Sequence, residues 1–381
     1  MAELDDLRSQ IDSIDDELLE LLGRRMKVAD GIADYKREHD LPVLDKSRER
    51  AILADVYEKS DESVRDYSQL IFSLLFEASR ARQSARIGRA STVGADIKAA
   101  MEATDALFPP QAYVACQGVE GAYSQIAADR LFKHPSITYL SSFDAVFTAV
   151  EQGFCRYGVL PIENSTAGSV NQVYDLMMRH NFHIVRTTRI KIDHNLLAKR
   201  GTKIDDIRDV YTHAQAIEQS RAFLDSLPNA QVHVCENTAM AAQMVAQSER
   251  TDIAALSSRS CADLYDLDIL AKGVQDSGNN YTRFACIGKQ LEIFPGADRT
   301  SLMVVVNHEP GSLCKLLERF YALEINLIKL ESRPIPDRDF EFMFYFDLEC
   351  PVAAPEFATL MSSLDDVCEE FRYLGSYSEV I

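Results

Sequence analysis

Apolar side chains recur at every third or fourth position through residues 1–40. They are Leu4, Leu7, Ile11, Ile14, Leu18, Leu21, Leu22, Ala29 and Ile32. This period predicts one amphipathic helix from about Leu4 to about Glu38, roughly 50 Å long at about 1.5 Å per residue. One small domain cannot cover a helix of that length, so we expect a partner chain to pack against it.

Two further amphipathic segments follow the first one. They predict a short helix over residues 46–60 and a longer helix over residues 62–86. Residues 88–110 are small or polar and end in two prolines, which predicts a linker with room for one helical piece. We therefore expect an all-helical domain over residues 1–90 and a linker over residues 91–111.

Beyond the linker, short apolar runs rich in β-branched and aromatic residues alternate with helical segments. The runs are 112–118, 136–140, 157–162, 183–192, 232–236, 252–258 and 284–288. Such alternation predicts an α/β domain, for which we expect residues 112–292. Residues 299–381 read as strand, helix, strand, strand, helix, strand, which predicts an α+β domain of the ferredoxin-like βαββαβ kind. The expected fold class is a multidomain chain of these three parts.

The composition is ordinary for a globular protein, but its charge is strongly acidic. The 381 residues suffice for two or three domains, and 46% of them are hydrophobic and 26% charged. A formal net charge of -19 argues against nucleic acid or an anionic membrane as a general partner. Any anion site must then be built locally from arginine, lysine and helix N-termini.

Cysteine use and the N-terminus predict a cytoplasmic location. The eight cysteines are scattered without a CxxC pair, so we expect reduced thiols and no zinc site. The first ten residues are acidic, unlike a signal peptide, and no apolar run approaches the roughly 18 residues of a membrane span.

Two cations, Arg25 and Lys36, fall inside the apolar stripe of the first helix. An unpaired buried cation costs several kcal/mol, so the site must supply anions, and the pair predicts a pocket for a small polyanion. Other polar side chains share the helical domain. They are Arg8 at the border of the stripe, Asp45, Arg48 and Glu49 at the start of the second helix, and Ser79 and Gln83 one turn apart on the third. The alternative is a helical hairpin with surface salt bridges.

Residues 1–87 resemble the all-helical chorismate mutases that are fused to later enzymes of phenylalanine synthesis. The resemblance implies a chorismate-binding set in which every residue type is retained: Arg8, Arg25, Lys36, Asp45, Arg48, Glu49, Ser79 and Gln83. It also implies an intertwined homodimer, or a higher homo-oligomer, in which Arg8 reaches the site of the partner chain.

The reaction that this resemblance implies is the pericyclic rearrangement of chorismate to prephenate, which needs no nucleophile and no proton transfer. Catalysis then consists of holding the reactive conformer and stabilising charge on the ether oxygen. By resemblance, arginines hold the two carboxylates, Lys36 and Gln83 donate to the ether oxygen, and Glu49 orients the hydroxyl group.

Polar loops follow several strands of the predicted α/β domain. Residues 118–128 follow a strand and open a helix, although they lack a GxGxxG motif. Residues 163–166 lie at the carboxyl end of a strand, where ligands of α/β proteins usually bind. Gln215 and Gln219 lie one turn apart, and residues 279–283 precede another strand. Each loop alone could be a helix cap, but four in one domain favour a binding site.

Together these loops resemble prephenate dehydratase over about residues 112–292, most specifically in the ENS motif at 163–165 and the YTRF motif at 281–284. The resemblance implies two α/β lobes with a cleft, like the type II periplasmic binding proteins. It implies a catalytic Thr282 and a prephenate-binding set completed by Glu163, Asn164, Ser165, Thr212, Gln219 and Arg283, with Arg283 beside Thr282. Because a threonine hydroxyl is a poor acid, we interpret Thr282 as a positioned donor that helps hydroxide leave.

The C-terminal segment resembles the ACT regulatory module. In phenylalanine-controlled relatives, two motifs from paired modules bind the amino acid. Here the motifs fall on Gly311, Ser312, Leu313 and Cys314, and on Glu331, Ser332, Arg333 and Pro334. The alternative is a plain βαββαβ dimerisation domain without an effector.

The sequence thus predicts a bifunctional enzyme that converts chorismate through prephenate to phenylpyruvate and is inhibited by L-phenylalanine, with no cofactor and no metal. A mutase fused to prephenate dehydrogenase would need a Gly-rich dinucleotide loop, which the sequence lacks. An arogenate-preferring dehydratase remains an alternative that the sequence does not separate. A non-catalytic amino-acid sensor is a third, against which the retained Arg25, Lys36, Glu49 and Thr282 argue.

Overall fold

The computed structural model describes residues 2–87, 92–227, 229–336, 338–339, 341–364 and 367–381. The chain forms two compact units. The first unit comprises residues 1–96, 305–324 and 354–371, and the second comprises residues 97–304, 325–353 and 372–381. The C-terminal segment therefore contributes its two helices to the first unit and most of its sheet to the second.

Long helices build the first unit, as the periodicity predicts. They are α1 (Ala2–Glu38), α2 (Lys46–Lys59) and α3 (Arg65–Ile87), with a 3-10 turn at Glu62–Val64 before α3. A further helix, α4 (Thr92–Ala103), lies inside the predicted linker, and the second unit begins within it at residue 97. Asp45 caps α2, since its side chain accepts a hydrogen bond from the Arg48 amide at 2.9 Å. Asp30 of α1 and Arg82 of α3 form a bidentate ion pair at 2.6 and 2.7 Å.

The apolar stripe of α1 is open in the single chain. The large apolar side chains from Leu4 to Leu22 are between 39% and 66% exposed. Further along α1, where it runs beside α3, Ala29 and Ala33 are buried. Contiguous apolar surface of this extent marks an interaction face.

Two sheets carry the α/β part of the second unit. The first has the order β16-β5-β11-β3-β1-β2, with β4 paired to β3, and the second has the order β10-β6-β9-β7-β8. The strands of the first sheet are β1 (Gln111–Gln117), β2 (His134–Leu140), β3 (Tyr157–Asn164), β4 (Gly168–Ser169), β5 (His183–Lys191), β11 (Tyr281–Gly288) and β16 (Glu379–Val380). Those of the second are β6 (Asn195–Ala198), β7 (Asp209–His213), β8 (Gln231–Cys235), β9 (Ile253–Ser257) and β10 (Asp268–Ala271).

Helices flank both sheets, and buried apolar residues between helix and sheet form separate cores. The helices are α5 (Tyr123–Leu131), α6 (Phe143–Glu151), α7 (Asn171–Met177), α8 (Ala214–Gln219), α9 (Arg221–Asp225), α10 (Thr238–Gln247) and α11 (Arg259–Tyr265), with a 3-10 turn at Ile204–Asp206. The predicted α/β alternation is confirmed. The sequence patterns did not reveal the short strands β4, β6, β7, β10 and β16, in which few residues carry the signal.

The C-terminal segment has the predicted βαββαβ order. Its elements are β12 (Arg299–Val306), α12 (Ser312–Ala322), β13 (Asn326–Pro334), β14 (Phe342–Glu349), α13 (Pro355–Leu364) and β15 (Cys368–Tyr377). The strand order β13-β14-β12-β15 is that of a ferredoxin-like sheet. Within the second unit, Met303, Tyr345, Leu374 and Tyr377 of this sheet join the core that lies under α6 and α7. In the described residues, no helix has the length and apolar character needed to cross a membrane.

Candidate active sites

In the helical domain, Arg25 joins α1 to α3. Its guanidinium donates to the Leu75 carbonyl oxygen at 3.0 Å and to the Ser79 hydroxyl, and it lies 5.8 Å from the centre of the Phe76 ring. Burial lowers the pKa of Arg25, because desolvation disfavours its charged form. The side chain is thus a half-buried cation, as its place in the apolar stripe predicts, but its partners in the chain are neutral and not the anions that we expected.

Lys36 lies near the start of α2. Its Nζ donates to the Val43 carbonyl oxygen at 2.5 Å. Burial lowers the pKa of Lys36, and the negative charges of Asp45 and Glu49 partly oppose that shift. The structure therefore brings Lys36 close to these two carboxylates. Ser79, which is distant in sequence, is bonded to Arg25.

Glu49 has a partner that the sequence did not reveal. Its carboxylate is ion-paired with Arg80, and Arg80 also binds Glu77 one turn earlier on α3. Glu77 in turn pairs with Arg319 of α12 at 2.8 Å. A charged residue on a helix usually belongs to a solvated face, so nothing in the pattern distinguishes Arg80 from its exposed neighbours.

The remaining residues of the predicted chorismate set differ in exposure. Gln83 is 7% exposed, and its Oε1 has no hydrogen-bond partner among the described residues. Asp45 and Arg48 lie on the surface. Arg8 is exposed and pairs only with Asp5 in the described part of the chain, at 3.5 Å. It lies about 25 Å from Arg25 along α1, at about 1.5 Å per residue, so one chain does not bring it to this site.

A cavity of about 310 Å³ opens in the second unit, where strands of both α/β sheets end. It is lined by Gln117, Ala122, Tyr123, Ser124, Phe143, Pro161, Asn164, Gln172, Ile192, His194, His213, Gln215, Ala216, Gln219, Glu236, Asn237, Thr238, Thr282 and Phe284. No lysine or arginine is among these lining residues. The polar groups of the lining are therefore amides, hydroxyls, histidines and the carboxylate of Glu236.

Asn164 has an amide orientation that its neighbours determine. Its Oδ1 accepts from the Thr166 amide at 3.1 Å, the Thr166 hydroxyl at 2.7 Å and the Ala167 amide at 2.9 Å. Backbone amides only donate, so the oxygen must lie on that side. The Nδ2 group therefore faces Asn280 Oδ1 at 2.8 Å and Thr282 Oγ1 at 2.9 Å. Thr282 accepts from Asn164, which leaves its own proton free for a group in the cavity.

Two histidines complete the polar lining. His194 Nε2 lies 3.0 Å from Gln219 Oε1, and its Nδ1 has no hydrogen-bond partner among the described residues. Burial lowers the pKa of His194, partly opposed by the bond to Gln219, and burial also lowers the pKa of His213. Both rings are therefore neutral at pH 7, and they offer hydrogen bonds but not charge.

Comparison with known proteins identifies the family. Residues 7–84 match the family model for chorismate mutase type II, and residues 114–292 match the one for prephenate dehydratase. A bifunctional chorismate mutase/prephenate dehydratase of Aquifex aeolicus is 33% identical over 384 residues, covering 100% of this chain and 99% of that protein. The chain belongs to this bifunctional family. It is an enzyme of phenylalanine biosynthesis that carries a chorismate mutase and a prephenate dehydratase domain.

Relatives of the dehydratase part have more varied descriptions. Arogenate dehydratase/prephenate dehydratase 2 of Arabidopsis thaliana is 38% identical and covers 69% of this chain and 72% of its own. A prephenate dehydratase of Arthrobacter aurescens in complex with L-Phe has a TM-score of 0.63 at 26% identity, over 70% of this chain and 90% of its own. A structure described as a quorum quenching acylase has a TM-score of 0.64 at 30% identity, over 70% of this chain and 97% of its own.

Four residues of the predicted prephenate set do not line the cavity. Neighbouring residues of a strand point to opposite faces, so Glu163 and Arg283 lie behind the sheet when Asn164 and Thr282 face the cavity. Thr212 is fully buried, and its hydroxyl donates to the Leu256 carbonyl oxygen at 2.9 Å. Contrary to expectation, Glu163 and Thr212 are therefore absent from the lining of this cavity, and Arg283 is beside Thr282 in sequence but on the reverse face.

Ser165 also lies outside the cavity lining, and it stabilises the loop next to it. Its hydroxyl donates to the Asn279 carbonyl oxygen at 2.9 Å and accepts from the Tyr281 amide at 2.9 Å. The lining residues at 236–238 were not predicted from the sequence. Among them, Asn237 caps α10 by accepting from the Met240 amide at 2.8 Å. A polar triplet directly after a strand was a usable signal for them. Within the described ranges, no three His, Cys, Asp or Glu side chains are grouped to hold a metal ion.

The two predicted effector motifs have different surroundings. Gly311 precedes α12 with a φ of +82°, a backbone conformation that favours glycine, and Ser312 behind it is buried whereas Cys314 is exposed. On β13, Glu331 accepts from the Ser169 hydroxyl at 2.5 Å and Arg333 binds Asp175 at 2.8 and 2.9 Å. The alternate residues of this motif, at 332 and 334, are exposed.

Proposed function

We propose that the cleft of the second unit converts prephenate to phenylpyruvate with Thr282 as the hydrogen-bond donor to the leaving hydroxyl group. The observation that carries this proposal is the orientation of Asn164, whose Nδ2 occupies a lone pair of Thr282 Oγ1 at 2.9 Å. The threonine proton is then free for the hydroxyl of prephenate. Elimination breaks the ring C–O bond, whose electron pair leaves with the hydroxide. The bond from the ring to the carboxylate breaks at the same time, and its electron pair completes the aromatic ring.

The products balance without a cofactor. Carbon dioxide leaves with no charge, and hydroxide leaves while it accepts a hydrogen bond from Thr282 and becomes water by taking one proton from the solvent. Because aromatisation drives the reaction, the enzyme mainly has to position a donor and exclude other outcomes. Asn280 accepts from Asn164 and donates to Gln219, which also bonds to His194, so these residues hold Asn164 in place beside the donor.

For the helical domain we propose the rearrangement of chorismate with the roles expected from the sequence. Arg8 and Arg25 hold the two carboxylates, with Arg48 on the substrate side of the second helix. Lys36 and Gln83 donate to the ether oxygen. The half-burial of both Arg25 and Lys36 supports these roles, since desolvation strengthens their interaction with an anion. Glu49 orients the substrate hydroxyl, and Asp45 and Ser79 complete the site.

We further propose that the enzyme is a homodimer through α1. The exposed stripe from Leu4 to Leu22 supports this, because a stable chain rarely leaves so many large apolar side chains in water. The dimer also accounts for Arg8, which lies too far along α1 to act in its own chain. A second copy would supply Arg8 to the site of the first.

We propose L-phenylalanine as an inhibitor that binds the ACT-like C-terminal segment. Support comes from the Gly311 turn, from the βαββαβ order and from the related dehydratase that was crystallised with L-Phe. Arogenate is the second candidate substrate of the cleft, because an Arabidopsis thaliana relative is described as acting on both. Competition between prephenate and arogenate, measured on the purified chain, separates the two.

One assay tests the main proposal. The chain is supplied with chorismate, and prephenate and phenylpyruvate are followed with and without phenylalanine. We expect Thr282→Val to accumulate prephenate, and Thr282→Ser, which keeps the hydroxyl, to make phenylpyruvate. Equal phenylpyruvate formation by wild type and Thr282→Val would rule out the assigned role of Thr282.

A further inference from the structure

Four charged residues lie directly behind the proposed donor site and join it to the C-terminal sheet. On β3 and β11, Asn164 is paired with Thr282 and Glu163 with Arg283. On β13 and β14, Lys329 is paired with Asp347. We call Glu163, Arg283, Lys329 and Asp347 the charge quartet.

The quartet alternates in sign and is held by short contacts between the two sheets. Lys329 Nζ donates to Glu163 Oε1 at 2.9 Å, and Arg283 Nη1 donates to Asp347 Oδ2 at 2.6 Å. Arg283 and Glu163 lie 3.9 Å apart. The side chains of Arg283, Lys329 and Asp347 are only 5%, 9% and 11% exposed, and that of Glu163 is 35% exposed. Removal of one partner of a buried ion pair strongly destabilises the folded protein, because the other charge is left without a partner.

Further polar groups hold the quartet in place. Ser301 of β12 donates to Asp347 Oδ1 at 2.5 Å, and Tyr377 of β15 lies 3.0 Å from Arg283 Nη2. Lys329 also donates to Ser169 at 2.7 Å. Strands β13, β14 and β15 of the C-terminal sheet therefore contact the back of the two strands that carry Asn164 and Thr282, and Ser301 of β12 holds Asp347 in place.

We propose that Glu163 and Arg283 are positioning residues through which Lys329 and Asp347 of the C-terminal sheet set the geometry of the Asn164–Thr282 pair. Glu163 is the chain neighbour of Asn164, and Arg283 is the chain neighbour of Thr282. A movement of either charged residue is therefore transmitted to the pair through a single peptide unit of a packed strand. A displacement of about 1 Å at a reacting group can cost about a hundredfold in rate, so small movements of β13 are sufficient. This inference rests on the proposed role of Thr282 and deepens it.

The test compares Glu163→Gln, Lys329→Met and the double variant in the full chain. Glu163→Gln keeps the size and one acceptor of the side chain but removes its charge, and Lys329→Met removes the facing cation at similar volume. Lys203→Met is the matched control, since Lys203 is an exposed lysine of the second lobe. We expect each single variant to lower the dehydratase kcat roughly tenfold at a KM within twofold of wild type. The double variant should lose no more than either single one.

Two outcomes would overturn the inference. A raised KM in Glu163→Gln with normal kinetics in Lys329→Met would mean that Glu163 contacts substrate. Unchanged kcat in both variants would mean that the quartet does not affect the donor pair. Lys329→Arg keeps the positive charge, so we expect its dehydratase kcat to match that of the wild type. A low kcat in Lys329→Met but not in Lys329→Arg would show that the lost charge, and not a folding defect, lowers the rate.

A second readout does not depend on turnover. In chains with labelled threonine methyl groups, the Thr282 resonance is assigned by its loss in Thr282→Ser. We expect Lys329→Met to shift that resonance and Lys203→Met to leave it in place. If the wild type made no phenylpyruvate, the proposed function would fail while this shift still tested the positioning, and an unmoved resonance would overturn the inference.

Discussion

The orientation of Asn164 makes Asn164→Asp a sharp perturbation of the dehydratase site. The side chain keeps its size and the oxygen that accepts from Thr166 and Ala167, but it loses both N–H donors. In the wild type, Asn280 Oδ1 accepts from Asn164 Nδ2 at 2.8 Å. In the variant it would face a carboxylate oxygen instead. The Thr282 hydroxyl accepts from Asn164 Nδ2 at 2.9 Å in the wild type. In the variant it would donate its proton to the new carboxylate.

The two effects of this substitution differ in size. Thr282 no longer offers a proton to the leaving hydroxyl, and loss of one positioned donor typically lowers kcat by about 10² to 10³. Asn280 Oδ1 is left without its donor at a site where Asn280 is 1% exposed, which costs about 1–3 kcal/mol of stability. The rate effect should therefore be larger than any loss of folded protein at 25 °C.

Both activities are measured in the same chain, so the mutase rate reports whether the protein is intact. We expect Asn164→Asp to lower the dehydratase kcat to the level of Thr282→Val and to leave the mutase rate within about twofold. Because Asn164 acts through Thr282, the double variant should be no slower than Thr282→Val alone. A dehydratase kcat within threefold of wild type, or additive losses in the double variant, would refute the assigned direction of this hydrogen bond.

Three further predictions concern protonation and the dimer. Because burial lowers the pKa of Lys36 from 10.5, the mutase rate should fall at a lower pH than that of a free lysine, and Lys36→Arg should move the fall to higher pH in a pH–rate profile. Arg8→Ala and Lys36→Ala chains, each inactive as a mutase, should regain about a quarter of wild-type activity when refolded together, since half the dimers would carry one intact site; no recovery would contradict the shared site. Burial depresses the pKa of His194 below 6.5, so the unfolded chain binds the proton first and stability is lost as pH falls from about 6.5. Thermal midpoints at pH 7.5 and 5.5 should therefore differ less in His194→Gln than in wild type.

The long helices and the βαββαβ order could be predicted because their signals are spread over many residues. The period of α1 runs from Leu4 to Ile32, and a few exceptions do not obscure it. A strand such as β16, with two residues, carries no period at all. It forms because Glu379 and Val380 pair with residues 187 and 188, which are distant in sequence.

Side-chain direction was the harder part of the site. Sequence adjacency suggests that Glu163 and Asn164 act together, yet a strand turns neighbours to opposite faces. Applied to the motif at 163–165, that rule would have separated the donor pair from the charges behind it. The partner of Glu163 could not be predicted in the same way, because Lys329 is 166 residues further along and only the third sheet brings it there.

Both proposed sites are backed by ion pairs that lead to the C-terminal segment. In the first unit, Glu49 pairs with Arg80, and Glu77 links Arg80 to Arg319 of α12. In the second unit, Lys329 of β13 pairs with Glu163 behind Asn164. Since α12 and β13 follow one another in the chain, the proposed effector, if it displaced the segment between them, would change the surroundings of a carboxylate in each site. The contacts to each active site are made by charges held at short range, so such a displacement alters position and electrostatics together, and inhibition of the two activities need not be equal in size.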